Sequence, residues 1–140
     1  MNAPGFLFDA NIWVGLAFAA HPSHAKATTA LRAATAERPA YFCRATQQST
    51  LRLLSTPAIL RVYGVPGLSN RDALATLDRF MASPSVAYRE EPPGVVSIWH
   101  HLAALPSAAQ LEMVTFDQGF SQFAGMSVTI LAPATPTQNS

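Results

Sequence analysis

The sequence predicts an α/β fold in which helices cover both faces of a mainly parallel sheet. Short apolar runs rich in aromatic or β-branched residues recur along the chain, each close to the length of a strand. Segments with apolar residues at helical spacing lie between these runs. Strands that alternate with helices pair in parallel and need cover on both faces. At 140 residues, the chain has room for one such domain.

Five segments are predicted to be strands. In chain order they are Phe6–Phe8, Ala40–Cys43, Ser85–Arg89, Leu111–Thr115 and Ser127–Leu131. The predicted helices are residues 11–19, 23–36, 45–55, 71–82 and 95–105. Pro22 is placed to start the second helix, and Ser69-Asn-Arg-Asp72 resembles a capping box before the fourth.

The charge and cysteine content exclude several classes of protein. Nine basic and eight acidic side chains leave a net charge of +1, which excludes a strongly basic nucleic-acid coat. The single cysteine, Cys43, cannot form an intramolecular disulfide, and its place in a predicted strand indicates a buried small hydrophobe. Neither a signal peptide nor a membrane span is recognisable, so we expect a cytoplasmic protein with no membrane partner.

Two carboxylates follow predicted strands directly. Asp9 comes after Phe6–Phe8, and Asp117 comes after Leu111–Thr115 with only Phe116 between. Ligand sites in parallel sheets form outside the carboxyl ends of strands, so these side chains can share one site if the two strands are neighbours. Hard oxygen ligands of this kind suit Mg²⁺ or Mn²⁺, which activate water for attack on a phosphodiester.

Each carboxylate also has a simpler interpretation. Asp9 can act as the N-cap of the helix that begins near Asn11, and Asp117 can lie in a turn before Gly119. For His21 and His24, which flank Pro22, a turn-and-cap role is favoured over a zinc site because no cysteine or further histidine lies nearby.

Four segments of the chain carry motifs that are informative when they are taken together and in order. The segments are Phe6-Leu-Phe-Asp-Ala-Asn-Ile-Trp13, His21-Pro-Ser-His24, Arg44-Ala-Thr-Gln-Gln-Ser-Thr-Leu-Arg-Leu-Leu-Ser-Thr-Pro57 and Val114-Thr-Phe-Asp-Gln-Gly-Phe120. In this order they resemble the motifs of PIN domains, and more narrowly of VapC-type toxins from bacterial type II toxin–antitoxin pairs. The resemblance covers nearly the whole chain.

The resemblance implies a three-layer α-β-α PIN-like domain over residues 1–132. Residues 133–140 contain two prolines, no large apolar residue and no charge, and this composition predicts a disordered tail. The resemblance also implies a Mg²⁺-dependent endoribonuclease, a cognate antitoxin and a homodimer. Asp9 then becomes the first metal ligand and Asp117 the last acidic position. Asn11 hydrogen-bonds the site, and Thr115 orients a carboxylate or a water molecule.

The sequence departs from the family pattern at two acidic positions. Where relatives place an acid three residues before an arginine, this chain has Ser49 before Arg52. Relatives also carry a segment resembling Trp-x-Asp-Ala-Tyr-Leu-Ala-Ala-Leu-Ala, which supplies a further metal-binding Asp, whereas here residues 105–111 run directly to the late strand. We therefore expect impaired cleavage. Two alternatives stay open, a non-catalytic PIN-like protein that binds an antitoxin or RNA, and a truncated remnant.

Basic and apolar surface residues suggest where partners bind. Arg44, Arg52 and Lys26 are candidates for contacts with RNA phosphates, with ordinary surface charge as the alternative. Tyr63, Val65 and Leu68, together with the apolar faces of the 45–55 and 71–82 helices, suggest an interface with a second subunit or an antitoxin.

Overall fold

The computed structural model describes residues 5–90, 111–118 and 127–132. Within these ranges all five predicted strands are confirmed, and each strand end agrees with the prediction or differs from it by one residue. They are β1 (Phe6–Phe8), β2 (Ala40–Phe42), β3 (Val86–Tyr88), β4 (Glu112–Thr115) and β5 (Val128–Ile130). The described helices are α1 (Ala10–Ala17), α2 (His24–Arg32), α3 (Arg44–Leu54), α4 (Pro57–Leu60) and α5 (Asn70–Met81).

The five strands form one parallel sheet in the order β3-β2-β1-β4-β5. Phe6 of β1 pairs with Ala40 on one side and Glu112 on the other. The prediction that the first and late strands are neighbours is therefore confirmed. Because every strand runs in the same direction, all five carboxyl ends lie along one edge of the sheet.

β3 and β4 follow each other in the chain and run parallel, but they are not adjacent, since β2 and β1 lie between them. The predicted 95–105 helix, the shortened segment after it and the 133–140 tail all lie outside the described residues.

Helix α2 is shorter than the predicted 23–36 segment and ends at Arg32. Beyond it the Thr35 hydroxyl accepts from the Arg38 amide at 3.1 Å, and the Thr35 amide donates to the Arg38 carbonyl at 3.1 Å. This local turn competes with continuation of the helix. Helix α4 was not predicted; Pro57 supplies its first turn, and a 3-10 helix (Arg61–Tyr63) follows and ends at Gly64, whose φ is 73°.

The sheet separates two apolar clusters. On one face, Trp13 of α1 stacks on Phe42 with ring centroids 4.0 Å apart, and its Nε1 donates to the Phe8 carbonyl at 3.2 Å. On the other face, Leu7, Leu111 and Met113 pack together with Cys43, which is buried as the sequence predicts. Helix α1 packs on the face that carries Trp13 and Phe42. This packing sets the direction in which the chain leaves β1, and so the position of the residues after β1.

Candidate active site

The carboxyl ends of β1 and β4 meet at the residues that the sequence analysis selected. Phe8 pairs with Val114, and the Asp9 amide extends the ladder by donating to the Val114 carbonyl at 3.0 Å. Asp9 therefore leaves β1 beside Thr115, the last residue of β4. Adjacent pairing of the two central strands brings these positions together although 106 residues separate them in sequence.

Asp9 is the N-cap of α1 and also takes part in the polar cluster. Its Oδ1 accepts from the Ala10 amide at 2.8 Å, and its Oδ2 accepts from the Thr115 hydroxyl at 2.8 Å. The Asn11 amide group approaches the same Oδ2 at 3.5 Å. Asp9 therefore acts both as a helix cap, through Oδ1, and as a member of the polar cluster, through Oδ2.

The Thr115 side chain is fully buried, and all the hydrogen-bonding capacity of its hydroxyl is used. It donates to Asp9 and accepts from the Asp117 amide at 3.0 Å and from Asn11 Nδ2 at 3.3 Å. Asn11 Oδ1 in turn accepts from the Phe116 amide at 3.4 Å, which orients its side-chain amide. Thr115 therefore links Asp9, Asn11 and the backbone of Asp117 into one network.

Burial raises the pKa of the Asp9 carboxyl, and the negative charge of Asp117 raises it further. The hydrogen bonds from Thr115 and Ala10 act in the opposite direction and favour the carboxylate. Along the described ranges no basic side chain forms an ion pair with Asp9. Two nearby acidic groups, one of them buried without a cationic partner, make a position where a cation is favourable.

The donor set fits a hard divalent cation. Carboxylate oxygens are the ligands that Mg²⁺ and Mn²⁺ prefer, and Mg²⁺ keeps several waters and often binds through one or two carboxylates. Among residues 5–90, 111–118 and 127–132, no cluster of three or more His, Cys, Asp or Glu side chains is present. The protein contribution to such a site in the described part of the chain is therefore Asp9 and Asp117.

Five other acidic side chains are described, and they lie away from this pair. Asp72 and Asp78 are exposed on α5, Glu37 is exposed in the loop before β2, and Glu112 begins β4 and hydrogen-bonds Thr129. Only Glu90 is at the carboxyl edge, but it follows β3, which β2 separates from β1. Ser49, which the sequence analysis compared with an acidic position of the family pattern, lies within α3.

The three basic candidates are dispersed. Arg44 is exposed at the first position of α3, directly after β2, and so lies on the edge that carries Asp9. Arg52 lies near the other end of α3, beside a shallow groove shared with α5. The Lys26 ammonium donates to the Ala132 carbonyl at 2.7 Å. Arg44, at the end of β2, and Lys26, beside the residues that follow β5, therefore each lie one strand away from the acidic pair.

The apolar residues of the proposed interface divide into two groups. Val65 is buried and Leu68 is partly buried, and both belong to the cluster around Leu54 and Leu60, so they contribute to the core. Tyr63 stays 38% exposed. The prediction of an exposed apolar surface was wrong for Val65 and Leu68 because the chain after Gly64 folds back, with the Leu68 amide donating to the Leu54 carbonyl at 2.8 Å.

A cleft of about 320 Å³ adjoins the acidic pair, and sequence reasoning missed it. Asn11 and Asp117 line it together with His21, Leu60, Tyr63 and Phe116. The Tyr63 and His21 rings pack against each other with centroids 4.6 Å apart. The sequence signal was the pair of aromatic residues Tyr63 and Phe116, but only the fold brings them to one cleft.

His21 and His24 form the turn and helix start that the sequence predicts. His21 Nδ1 accepts from the Ser23 amide at 3.0 Å, and His24 Nδ1 lies 2.9 Å from the Gly15 carbonyl oxygen. Burial, and to a smaller extent the neighbouring His24, lower the pKa of His21 below its ordinary value of 6.5. A neutral His21 whose Nδ1 accepts a hydrogen bond carries its proton on Nε2.

Comparison with known proteins agrees with these features. No family model matches the sequence. Ribonuclease VapC41 of Mycobacterium tuberculosis, from strain CDC 1551 / Oshkosh and from strain ATCC 25618 / H37Rv, is 34% identical over 143 aligned positions, which cover 90% of this chain and 98% of the relative. In the described ranges no helix is long and apolar enough to cross a membrane. The parallel sheet, the residues at its carboxyl edge and this similarity show that the chain belongs to the VapC family of PIN-domain ribonuclease toxins.

Proposed function

We propose that this protein cleaves RNA phosphodiester bonds at the carboxyl edge of its sheet, as the toxin of a toxin–antitoxin pair, with Asp9 and Asp117 as the ligands of Mg²⁺ or Mn²⁺. The observation that carries the proposal is the Thr115 hydroxyl, which joins the buried Asp9 carboxylate to the backbone of Asp117. The ribonuclease name of the VapC41 relative supports the reaction class.

The chain's own residues hold and orient the reacting groups. Thr115 keeps one oxygen of Asp9 in place, and Ala10 holds the other through its amide. The side-chain amide of Asn11, on α1, donates to Asp9 Oδ2 and to the Thr115 hydroxyl, and so stabilises this arrangement. A bound divalent cation supplies two things here, a lowered pKa of the attacking water and stabilisation of charge on the phosphate oxygens. Arg44 and Lys26, both exposed at this edge, are proposed to contact neighbouring phosphates, with Arg52 as a more distant contact.

The relative carries residues that have no counterpart in this chain. The part of this chain that is aligned, 90% of 140 residues, is about 126 residues, which is 17 fewer than the 143 aligned positions. We propose that these positions include the segment with the further acid. We propose that cleavage is consequently slower than in relatives with a complete acidic set.

The test is RNA cleavage at increasing Mg²⁺, with Asp117→Asn and Asp78→Asn as a matched pair of neutralised acids. Asp78 is exposed on α5, away from the site. We expect Asp117→Asn to lower cleavage about 100-fold or more, because metal-assisted charge stabilisation is worth several kcal/mol. Asp78→Asn retains wild-type cleavage. Equal activity of all three proteins contradicts the proposed site.

A non-catalytic role is the second candidate, and the small number of acidic ligands in the described ranges favours it. In that case the protein binds RNA or its antitoxin without cutting. The same titration separates the two functions, because a non-catalytic protein retains bound RNA intact at every Mg²⁺ concentration while gel mobility still reports the complex.

We also propose that the chain forms a homodimer through the surface of α3 and α5. Leu74 of α5 is 51% exposed and borders the groove between these helices, next to Leu51 and Ala73. A single exposed leucine is common on monomers and a contiguous apolar patch marks an interface, so the proposal depends on Leu74 and the partly buried Leu51 forming one patch along this groove. Sedimentation velocity of the wild type and of Leu74→Ser tests this, since we expect a dimer for the first and a monomer for the second.

A further inference from the structure

The cleft beside the acidic pair has the walls of a binding site for a flat apolar ligand. Side chains of α1, the 21–23 turn, α4 and the 3-10 helix surround about 320 Å³ of space. Val14, Leu53 and Leu60 supply aliphatic surface, and Phe116 supplies an aromatic ring. A pocket that is mainly apolar with a few polar groups is the usual form of a small-molecule site.

Tyr63 is the accessible ring of this cleft. It is 38% exposed and packs against His21, which is 8% exposed, with an interplanar angle of 31°. His21 packs against one side of the Tyr63 ring, and part of the remaining ring surface is exposed to solvent. Aromatic rings with this degree of exposure serve as stacking platforms for nucleobases in single-stranded nucleic-acid sites.

His21 gives the cleft a polar group with a defined role. Its Nδ1 is occupied by the Ser23 amide, so the neutral ring presents an Nε2–H donor. Within the described ranges no acceptor hydrogen-bonds this Nε2, although the ring lines the cleft. Within the described ranges the Thr50 hydroxyl is the buried side-chain N or O atom that lacks a partner, so His21 Nε2 is open to solvent, and an acceptor atom of a ligand can replace the water there.

We infer that this cleft binds the nucleobase adjacent to the scissile phosphate of the RNA, with Tyr63 as the stacking surface and His21 Nε2 as a hydrogen-bond donor to the base. The inference rests on the proposed function, because Asn11 and Asp117 belong both to the cleft wall and to the acidic site. A nucleobase has a stacking face and ring acceptors together. An aliphatic side chain from a protein partner leaves the His21 donor unpaired, and that favours the base as occupant.

The experiment compares 5′-uridine and 5′-adenosine monophosphates with ribose 5-phosphate, which lacks the base, by calorimetric titration with and without Mg²⁺. Stacking on one aromatic side chain corresponds to about tenfold in affinity. We expect at least one nucleotide to bind about tenfold more tightly than ribose 5-phosphate. Tyr63→Ala should bind the nucleotide and ribose 5-phosphate with equal affinity, and Tyr63→Phe should keep the tenfold preference for the nucleotide.

Two matched controls separate stacking from general loss of apolar surface. Val62 is 68% exposed on the same 3-10 helix but does not line the cleft, and Tyr88 is a tyrosine of similar exposure, 40%, on β3. We expect Val62→Ala and Tyr88→Ala to keep the tenfold ratio. Equal affinities for the nucleotides and ribose 5-phosphate in the wild-type protein overturn the inference.

The outcomes also distinguish this inference from the proposed metal site. If Mg²⁺ raises the affinity for neither the nucleotide nor ribose 5-phosphate, but the nucleotide still binds about tenfold more tightly, the proposed metal site is wrong and the base site is supported. If Mg²⁺ raises the affinity for both ligands equally, and the nucleotide binds no more tightly than ribose 5-phosphate, the metal site is supported and the base site is wrong. If Tyr63→Ala leaves nucleotide affinity unchanged but prevents neutralisation by the co-expressed antitoxin, the cleft is a protein-docking surface and the inference is wrong.

Discussion

The acidic pair and the cleft beside it share Asn11 and Asp117 but satisfy their polar atoms in opposite ways. In the acidic region the Thr115 hydroxyl makes three hydrogen bonds and both Asp9 oxygens accept at least one. In the cleft the walls are largely apolar, and His21 Nε2 has no partner among the described residues. A saturated network resists rearrangement, whereas a donor in an apolar wall that is open to solvent is available to a ligand.

This difference assigns separate tasks to the two regions. The acidic region is expected to set the rate of the chemical step, since its groups are fixed before RNA arrives. The cleft is expected to set affinity for the neighbouring nucleotide, since its groups gain partners only when RNA is bound. Changes in the first region should therefore lower kcat, and changes in the second should raise KM.

The largest expected effect is the loss of the metal response in Asp9→Asn. Wild-type protein should gain about 2.7 kcal/mol of stability at a Mg²⁺ concentration 100 times its dissociation constant, and the variant should gain almost none. Without Mg²⁺ the variant should be as stable as the wild type, because asparagine still accepts from the Ala10 amide and removes a buried charge. Thermal melts with and without Mg²⁺ measure both quantities. A large stability loss in metal-free Asp9→Asn would contradict this expectation and show that the hydrogen bond from Thr115, which the asparagine Nδ2 cannot accept, is needed for stability.

The second-largest effect is expected for Thr115→Val, which should lower the kcat of cleavage about 10- to 100-fold, as for residues that orient metal ligands. The same change should cost about 1–3 kcal/mol of stability, because Asp9, Asn11 and the Asp117 amide lose a buried partner. Thr115→Ser keeps the hydroxyl and should retain most activity. Urea unfolding and single-turnover cleavage measure the two effects, and equal activity of the valine and serine variants would exclude an orienting role.

Tyr63→Ala should raise KM for RNA about tenfold and leave kcat within twofold of the wild type, since stacking is lost but the acidic network is untouched. Its free energy of unfolding should change by less than about 1 kcal/mol because the ring is 38% exposed. Steady-state cleavage of a short oligoribonucleotide gives both constants. A fall in kcat with unchanged KM would place Tyr63 with the acidic region instead.

The smallest effect is expected in the pH dependence of stability and concerns His21. Its pKa is lowered in the folded protein, so protonation favours the unfolded chain and stability falls as pH drops below 6.5 toward the folded value. His24, Tyr63 and Asp117 surround this ring and remain in the variant. His21→Asn keeps an acceptor for the Ser23 amide, and the difference in stability between variant and wild type should narrow from pH 7 to pH 5. A constant difference across that range would contradict the assignment of a neutral, buried His21.

Local sequence signals determined the strands, most helices and the positions of Asp9 and Asp117, because apolar periodicity and capping residues act over a few neighbouring residues. Phe6–Phe8 is too apolar for a loop, and Ser69 caps α5 as its sequence predicts. The same local signals predicted that both carboxylates follow strands. Strand adjacency was inferred from the fold class, and pairing of β1 with β4 confirms it.

The tertiary structure alone decided which side chains complete the site. The three hydrogen bonds of the Thr115 hydroxyl depend on the exact approach of α1 to the end of β4, which sequence spacing does not encode. The same holds for Val65 and Leu68, which pack inward while Tyr63 remains exposed because the chain folds back after Gly64. Local patterns specify which residues are apolar or able to cap a helix. Contacts between residues far apart in sequence decide whether an apolar ring fills the core or lines a cleft.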